Sequence, residues 1–227
     1  MAKYGSAYIC MLVDNTKREL FDILPSRSKW ELEMYFDLFP KTEQDKFKYV
    51  IIDMWEPYRD ASKLRFKNAH ISTDSFHVIE HLVRDFDKLV ISIMNQCICD
   101  RASYYLLKKW NWMFTANDVD FDNERAFDSK FQHYMNRGDI MEAMLAISDE
   151  LANAYHHLLK LYQTFNSECP PEATREQFKA VYEEFVSYDI PAYREFVNLM
   201  DHWKEEKKPR VLIERTKTKT HIRNSTT

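Results

Sequence analysis

Two glycines, Gly5 and Gly138, serve a chain of 227 residues. That scarcity constrains the fold more than any other feature. Tight β-turns and phosphate-cradling loops both rely on glycine, because only glycine enters positive φ without steric penalty. With the two lying so far apart, neither a Walker loop nor a Rossmann fingerprint can be built, and a turn-rich all-β sandwich is disfavoured. Long helices are the natural alternative. At 45% apolar and 15% aromatic, the chain is too hydrophobic to be a disordered polymer and long enough to bury one large core or two small ones.

The net charge of −4 is unevenly spread. Residues 204–227 hold eight Lys/Arg against three Glu, a balance of +5, which leaves −9 for the residues before them. Any contact with a polyanion must therefore be local. No window approaches 18 consecutive apolar residues, and the start Met1-Ala-Lys-Tyr-Gly lacks the layout of a signal peptide, so a cytoplasmic protein without a membrane anchor is expected. Cys10, Cys97, Cys99 and Cys169 include no C-x-x-C pair. They read as buried, reduced thiols rather than zinc ligands.

Along the chain, 7–14 and 19–24 are β-prone and joined through Asp14-Asn15-Thr16-Lys17, which predicts an antiparallel hairpin. An apolar stripe over 28–39 predicts a helix ended by Pro40. Tyr49-Val50-Ile51-Ile52 reads as a strand buried on both faces and ends in Asp53. Pro57 opens a helix to about Phe66, and a second short strand, His70-Ile71-Ser72-Thr73, ends in Asp74. Apolar residues at 79, 82, 83, 86, 89, 90, 93 and 94 give the next segment helical spacing. Beyond it no strand pattern is evident, and helices are predicted at about 101–113, 139–147, 149–166, 172–187 and 190–206. The expected organisation is an α/β part over 1–97, an all-α part over 98–206 and a basic, disordered tail over 207–227, mostly helical overall.

Two strands that each end in a carboxylate before a helix, at Asp53 and Asp74, are suggestive, because open sheets build their sites beyond the carboxyl ends of strands. Such carboxylates can hold hard divalent cations that organise phosphoryl transfer, or they can simply cap the helices that follow. A second pattern, His77-Val78-Ile79-Glu80-His81, matches H-x-x-E-H, in which two imidazoles share a zinc ion and the Glu acts as base. The third zinc ligand, with Glu142 and Glu150 as examples, is not chosen by spacing, and the helix pattern puts His77, Glu80 and His81 on an ordinary polar face. Trp110, Trp112 and Phe114 beside Arg101, Lys108 and Lys109 form either a base-stacking platform or core.

The blocks Asp53-Met54-Trp55-Glu56-Pro57-Tyr58-Arg59-Asp60 and Phe66-Lys67-Asn68-Ala69-His70-Ile71-Ser72-Thr73-Asp74-Ser75-Phe76-His77-Val78 resemble the DDE domain of bacterial insertion-sequence transposases of the ISL3 group. The stretches 141–148 and onward to Trp203-Lys204-Glu205-Glu206 are similar to the helical region that follows in that family. The resemblance runs from about residue 4 to 206. It implies an RNase-H-like sheet interrupted by a helical insertion, with DNA as partner and Mg²⁺ as cofactor. Asp53 is similar to the second catalytic carboxylate and implied metal ligand, and Asp74 with His77 matches a supporting D-x-x-H element.

The same resemblance implies pieces that this chain does not match: the first carboxylate on a preceding strand, the last carboxylate after the helical insertion, and the DNA-recognition regions. Glu214, the nearest substitute for the last carboxylate, has unlike surroundings. The expectation is an incomplete RNase-H-like sheet, split where the central strand would lie, and a transposase fragment inactive alone. A non-catalytic helical protein that modulates an intact, full-length transposase is the alternative expectation, and a zinc peptidase through His77, Glu80 and His81 is a further one.

Overall fold

The computed structural model describes residues 8–14, 16–116, 118–166 and 171–204. The tail expected over 207–227, together with Gly5, Cys169 and Glu214, lies outside the described residues. The described chain is mostly helical with a few short strands, and it divides into two compact units, the first made of the described residues up to Val78 together with 171–175 and the second of the other described residues.

In the first unit, β1 (Cys10–Asp14) pairs antiparallel with β2 (Glu19–Leu24) as the hairpin expected from sequence, with Cys10 opposite Leu24 and a bulge between Leu12 and Val13. Asp14 makes the turn: its carboxylate accepts from Thr16 N at 2.9 Å and Lys17 N at 3.1 Å, and Arg18 completes the reversal at φ 57°. Helix α1 (Lys29–Phe36) starts where the Ser28 hydroxyl accepts from Glu31 N. It ends three residues earlier than the apolar stripe suggests, because Pro40 begins a separate short helix, α2 (Lys41–Gln44), instead of terminating the first. The Gln44 amide then donates to the carbonyls of Phe36 and Phe39, satisfying the end of α1.

Strand β3 (Tyr49–Ile52), helix α3 (Glu56–Arg65) and strand β4 (His70–Thr73) form a βαβ unit, the two strands lying parallel with Tyr49 opposite His70 and Ile52 opposite Thr73. Pro57 sits in the first turn of α3, where its missing N–H is no loss. Cys10 and Leu24 pack on Leu32 and Ala61, flanked by Leu12, Tyr35, Phe36 and Tyr58. One expectation needs correction here. Strand β3 is not buried on both faces: Ile52 is enclosed but Tyr49 is 47% exposed. A pair of strands with α3 against it offers too little cover for four consecutive apolar side chains. Among the described residues, β1–β2 and β3–β4 are separate two-stranded sheets.

Helix α4 (Ser75–Gln96) begins in the first unit and continues into the second. The second unit continues with α5 (Arg101–Trp110), α6 (Arg137–Leu145), α7 (Asp149–Asn166), α8 (Pro171–Tyr188) from Glu176 onward, and α9 (Arg194–Lys204). Its core joins Phe86, Phe114 and Tyr155, and also Phe185, Tyr193 and Phe196, as ring clusters. The stretch expected to be all-helical also contains a hairpin, β5 (Ala126–Asp128) with β6 (His133–Met135), reversed at Gln132 with φ 54°. Three-residue strands are too short for an alternating pattern to register. Gly138 has a clear role: its N–H donates to the Phe121 carbonyl, and a Cβ would lie 3.1 Å from that oxygen.

Candidate carboxylate site at the end of the parallel strands

The ladder between β3 and β4 continues one step past Ile52, since Asp74 N donates to the Ile52 carbonyl at 2.9 Å. Asp53 and Asp74 therefore leave adjacent strand ends on the same side of the pair. Their local roles differ. Asp74 caps α4: its Oδ1 accepts from Phe76 N at 3.0 Å and its carbonyl accepts from Val78 N. Asp53 makes a tight turn in which its carbonyl accepts from Trp55 N at 2.7 Å, so its side chain has no helix start to serve.

His77, in the first turn of α4, closes the site, with Nδ1 3.3 Å from Asp53 Oδ1. The two side chains are 30% and 37% exposed, so the pair is open to a ligand from solvent. All three residues suggested by sequence thus gather at this strand end, Asp53 and His77 in direct contact and Asp74 turned to its cap. An Asp–His pair orients the ring and sharpens the carboxylate's direction, as found around metal-held and proton-transferring groups.

Behind the pair, the Tyr58 hydroxyl hydrogen-bonds the buried Cys10 thiol. Burial, and then this bond, push the phenol well above its usual range; burial likewise pushes the Cys10 thiol up. Arg27 lies alongside, its guanidinium carbon 3.9 Å from the ring centre of Tyr8 and 4.3 Å from that of Trp55. Tyr58 and Trp55 belong to the block that carries the resemblance. Arg27 carries no signal in the sequence, because it is a loop residue with no periodic or motif context.

Mg²⁺ binds through oxygen, and Asp53 is a donor of the right kind. Among the described residues, however, no group of three His, Cys, Asp or Glu converges. They do not by themselves make a two-ion site. Of the H-x-x-E-H residues, His77 meets Asp53 and the His81 ring nitrogen meets Arg84 on the next turn. Cysteine burial also departs from expectation. Cys10 is buried, but Cys97 and Cys99 sit past the apolar stripe of α4 in a short turn, half-buried and exposed.

At the aromatic cluster, Phe114 is core, whereas Trp110 is half-buried and Trp112 more open. Lys109 covers the Trp110 face at 4.7 Å from its centre. No helix among the described residues is long and apolar enough to cross a membrane.

Comparison with known proteins gives this geometry a context. The chain is 24% identical over 154 residues to the transposase for insertion sequence element IS1001 of Bordetella parapertussis, a match covering 67% of this chain and 37% of that protein. It therefore spans little more than a third of this relative's length. No solved structure matches. The family model described as transposase, for the ISL3 group of DDE enzymes, matches residues 1–210, and the chain belongs to that insertion-sequence transposase family.

Proposed function

We propose that this chain carries part of the catalytic region of an insertion-sequence transposase, with DNA as its partner and Asp53 as one of the acidic residues of the phosphodiester chemistry. The observation that carries the reading is the Asp53–His77 pair at the carboxyl end of β3, inside the segment matched by the family. Asp53 is the strand-end carboxylate that no local backbone claims, whereas Asp74 is occupied as a cap. On this reading Asp53 offers an oxygen to the divalent cation such enzymes use, Mg²⁺ being the expected one. His77 holds that carboxylate's direction, and Asp74 fixes the start of the helix that presents His77.

The proposed domain plan keeps a partial RNase-H-like core over 1–97, a predominantly helical insertion over 98–206 and a basic tail over 207–227. Strand joining requires further carboxylates besides Asp53, so the 227-residue chain binds DNA but does not join it alone.

The test incubates the chain with Mg²⁺ and DNA bearing insertion-sequence ends, following retention and joined product in the same samples. DNA retained without joined product is the expected result. Failure to retain DNA would overturn the DNA-partner reading, and product that disappears in Asp53→Asn would overturn the incompleteness.

A further inference from the structure

Arg27 is held in an unusual way for an arginine of this unit. Arg59 lies near the carboxylates of Glu56 and Asp60, and Arg65 pairs with Asp37 at 2.7 Å. Arg27 has no carboxylate partner among the described residues. Its guanidinium instead lies against the rings of Tyr8 and Trp55, at 3.9 and 4.3 Å from their centres. Stacking fixes the plane of a guanidinium yet consumes none of its five N–H donors, which point outward from the edge of the plane. The result is a cation held against two rings with its hydrogen-bonding capacity unspent among the described residues.

Its position is equally specific. Trp55 stands two residues after Asp53 and is tied to it through the 2.7 Å bond from Trp55 N to the Asp53 carbonyl. Whatever Arg27 binds is therefore brought beside the end of β3. Electrostatics agree: Arg27 lowers and Asp53 raises the proton affinity of the same Tyr58 hydroxyl, so both charges lie near it. A fixed guanidinium edge is the side-chain group best matched to a phosphate, which it grips with paired N–H donors. In a chain whose residues before 204 carry −9, a polyanion needs such a local anchor to approach a carboxylate at all.

We propose that Arg27 is a phosphate-holding residue, its stacked guanidinium gripping a DNA backbone phosphate next to Asp53. The inference rests on the transposase reading above and adds a positioning residue that the family motifs do not contain. In this role Arg27 makes no bond to the reacting atoms. It fixes the register of the strand, and Tyr8 and Trp55 keep its plane in place.

The test measures binding of the 227-residue chain to a fluorescent mixed-sequence DNA duplex by anisotropy, without metal, between about 50 and 200 mM salt. Arg27→Gln is expected to weaken binding roughly tenfold and to reduce the slope of log K against log salt by about one, as loss of one phosphate contact should. Arg27→Lys should restore the slope while leaving affinity below wild type, since an ammonium keeps the charge but not the paired donors. Thermal melting of the same samples separates binding from folding.

An unchanged slope and affinity in Arg27→Gln would overturn the proposal while leaving the DNA-partner reading intact. An earlier melt with an unchanged slope would make Arg27 a structural staple and overturn it too. If Arg27→Gln fails to fold, Arg27→Lys decides: a slope reduced by one despite the retained charge contradicts the proposal. Absence of duplex binding by the wild-type chain would defeat both the proposal and the reading beneath it.

Discussion

Asp53 and Asp74 occupy equivalent places at neighbouring strand ends, yet the hydrogen bonds around them assign different work. Asp74 accepts from Phe76 N, so Asp74→Ala should cost about 1 kcal/mol, the usual loss for an N-cap, with Asp74→Asn retaining most of it; urea denaturation measures both. Asp53 serves no cap, and Asp53→Asn should leave stability nearly unchanged. Tyr35 provides a pH handle elsewhere in the same unit. Burial, and then its hydrogen bond to Asp22 at 2.7 Å, push the phenol up to about 12, from about 10 in an unfolded chain. The folded group holds its proton more tightly than the unfolded one. Its contribution is therefore fully present below about pH 10 and is lost as pH rises through about 12. Tyr35→Phe should flatten that alkaline decline in a series of denaturation curves. The strand-end acids were legible because an apolar run that stops at a carboxylate is a local pattern. Arg27 was not, because no local pattern reports that segments around residues 8, 27 and 55 meet.

Between elements, one buried acid acts as a latch in the second unit. Asp85 on α4 is 4% exposed; its Oδ2 accepts from Phe196 N on α9 and its Oδ1 from Lys88, which also reaches Glu195 at 2.6 Å. Asp85→Ala leaves the Phe196 N–H without its acceptor and Lys88 with Glu195 alone, and a loss of roughly 3 kcal/mol is expected in urea unfolding, as for a hydrogen-bonded buried charge. Helical spacing predicted α4 and α9 but gave no hint of this link, since residues 85 and 196 are distant in sequence. In the first unit the β1–β2 hairpin keeps Cys10 and Leu24 inward while Met11, Val13 and Ile23 remain about half exposed or more. An apolar outer face on a two-stranded ribbon invites association. Met11→Thr with Ile23→Thr should reduce self-association in light scattering while costing less than about 1 kcal/mol, because neither side chain fills the core. Sequence periodicity recovered the hairpin, the βαβ unit and most helices. It missed α2, four residues long, and the β5–β6 hairpin, whose strands are three residues each, and it misjudged Pro40, which starts a helix as readily as it stops one.

At the scale of the whole molecule, the chain belongs to the ISL3-group transposase family over residues 1–210, and the strand-end pair on which the proposed chemistry rests lies in the first unit. Composition had already removed the glycine-dependent nucleotide folds, and helical spacing had already marked the second half as mainly helical. What separates the proposed account from a merely structural one is the division of labour between two neighbouring aspartates. The most direct measurement uses a longer transposase of the same family carrying this chain's residues 8–78 in place of its own matching segment, assayed for strand joining in Mg²⁺. Asp53→Asn is expected to lower the joining rate about a thousandfold, equivalent to roughly 4 kcal/mol of transition-state stabilisation. Asp74→Asn should lower it less than about tenfold, as a capping change should. Equal losses at the two positions, or an Asp53→Asn protein that joins DNA as the parent does, would contradict the account.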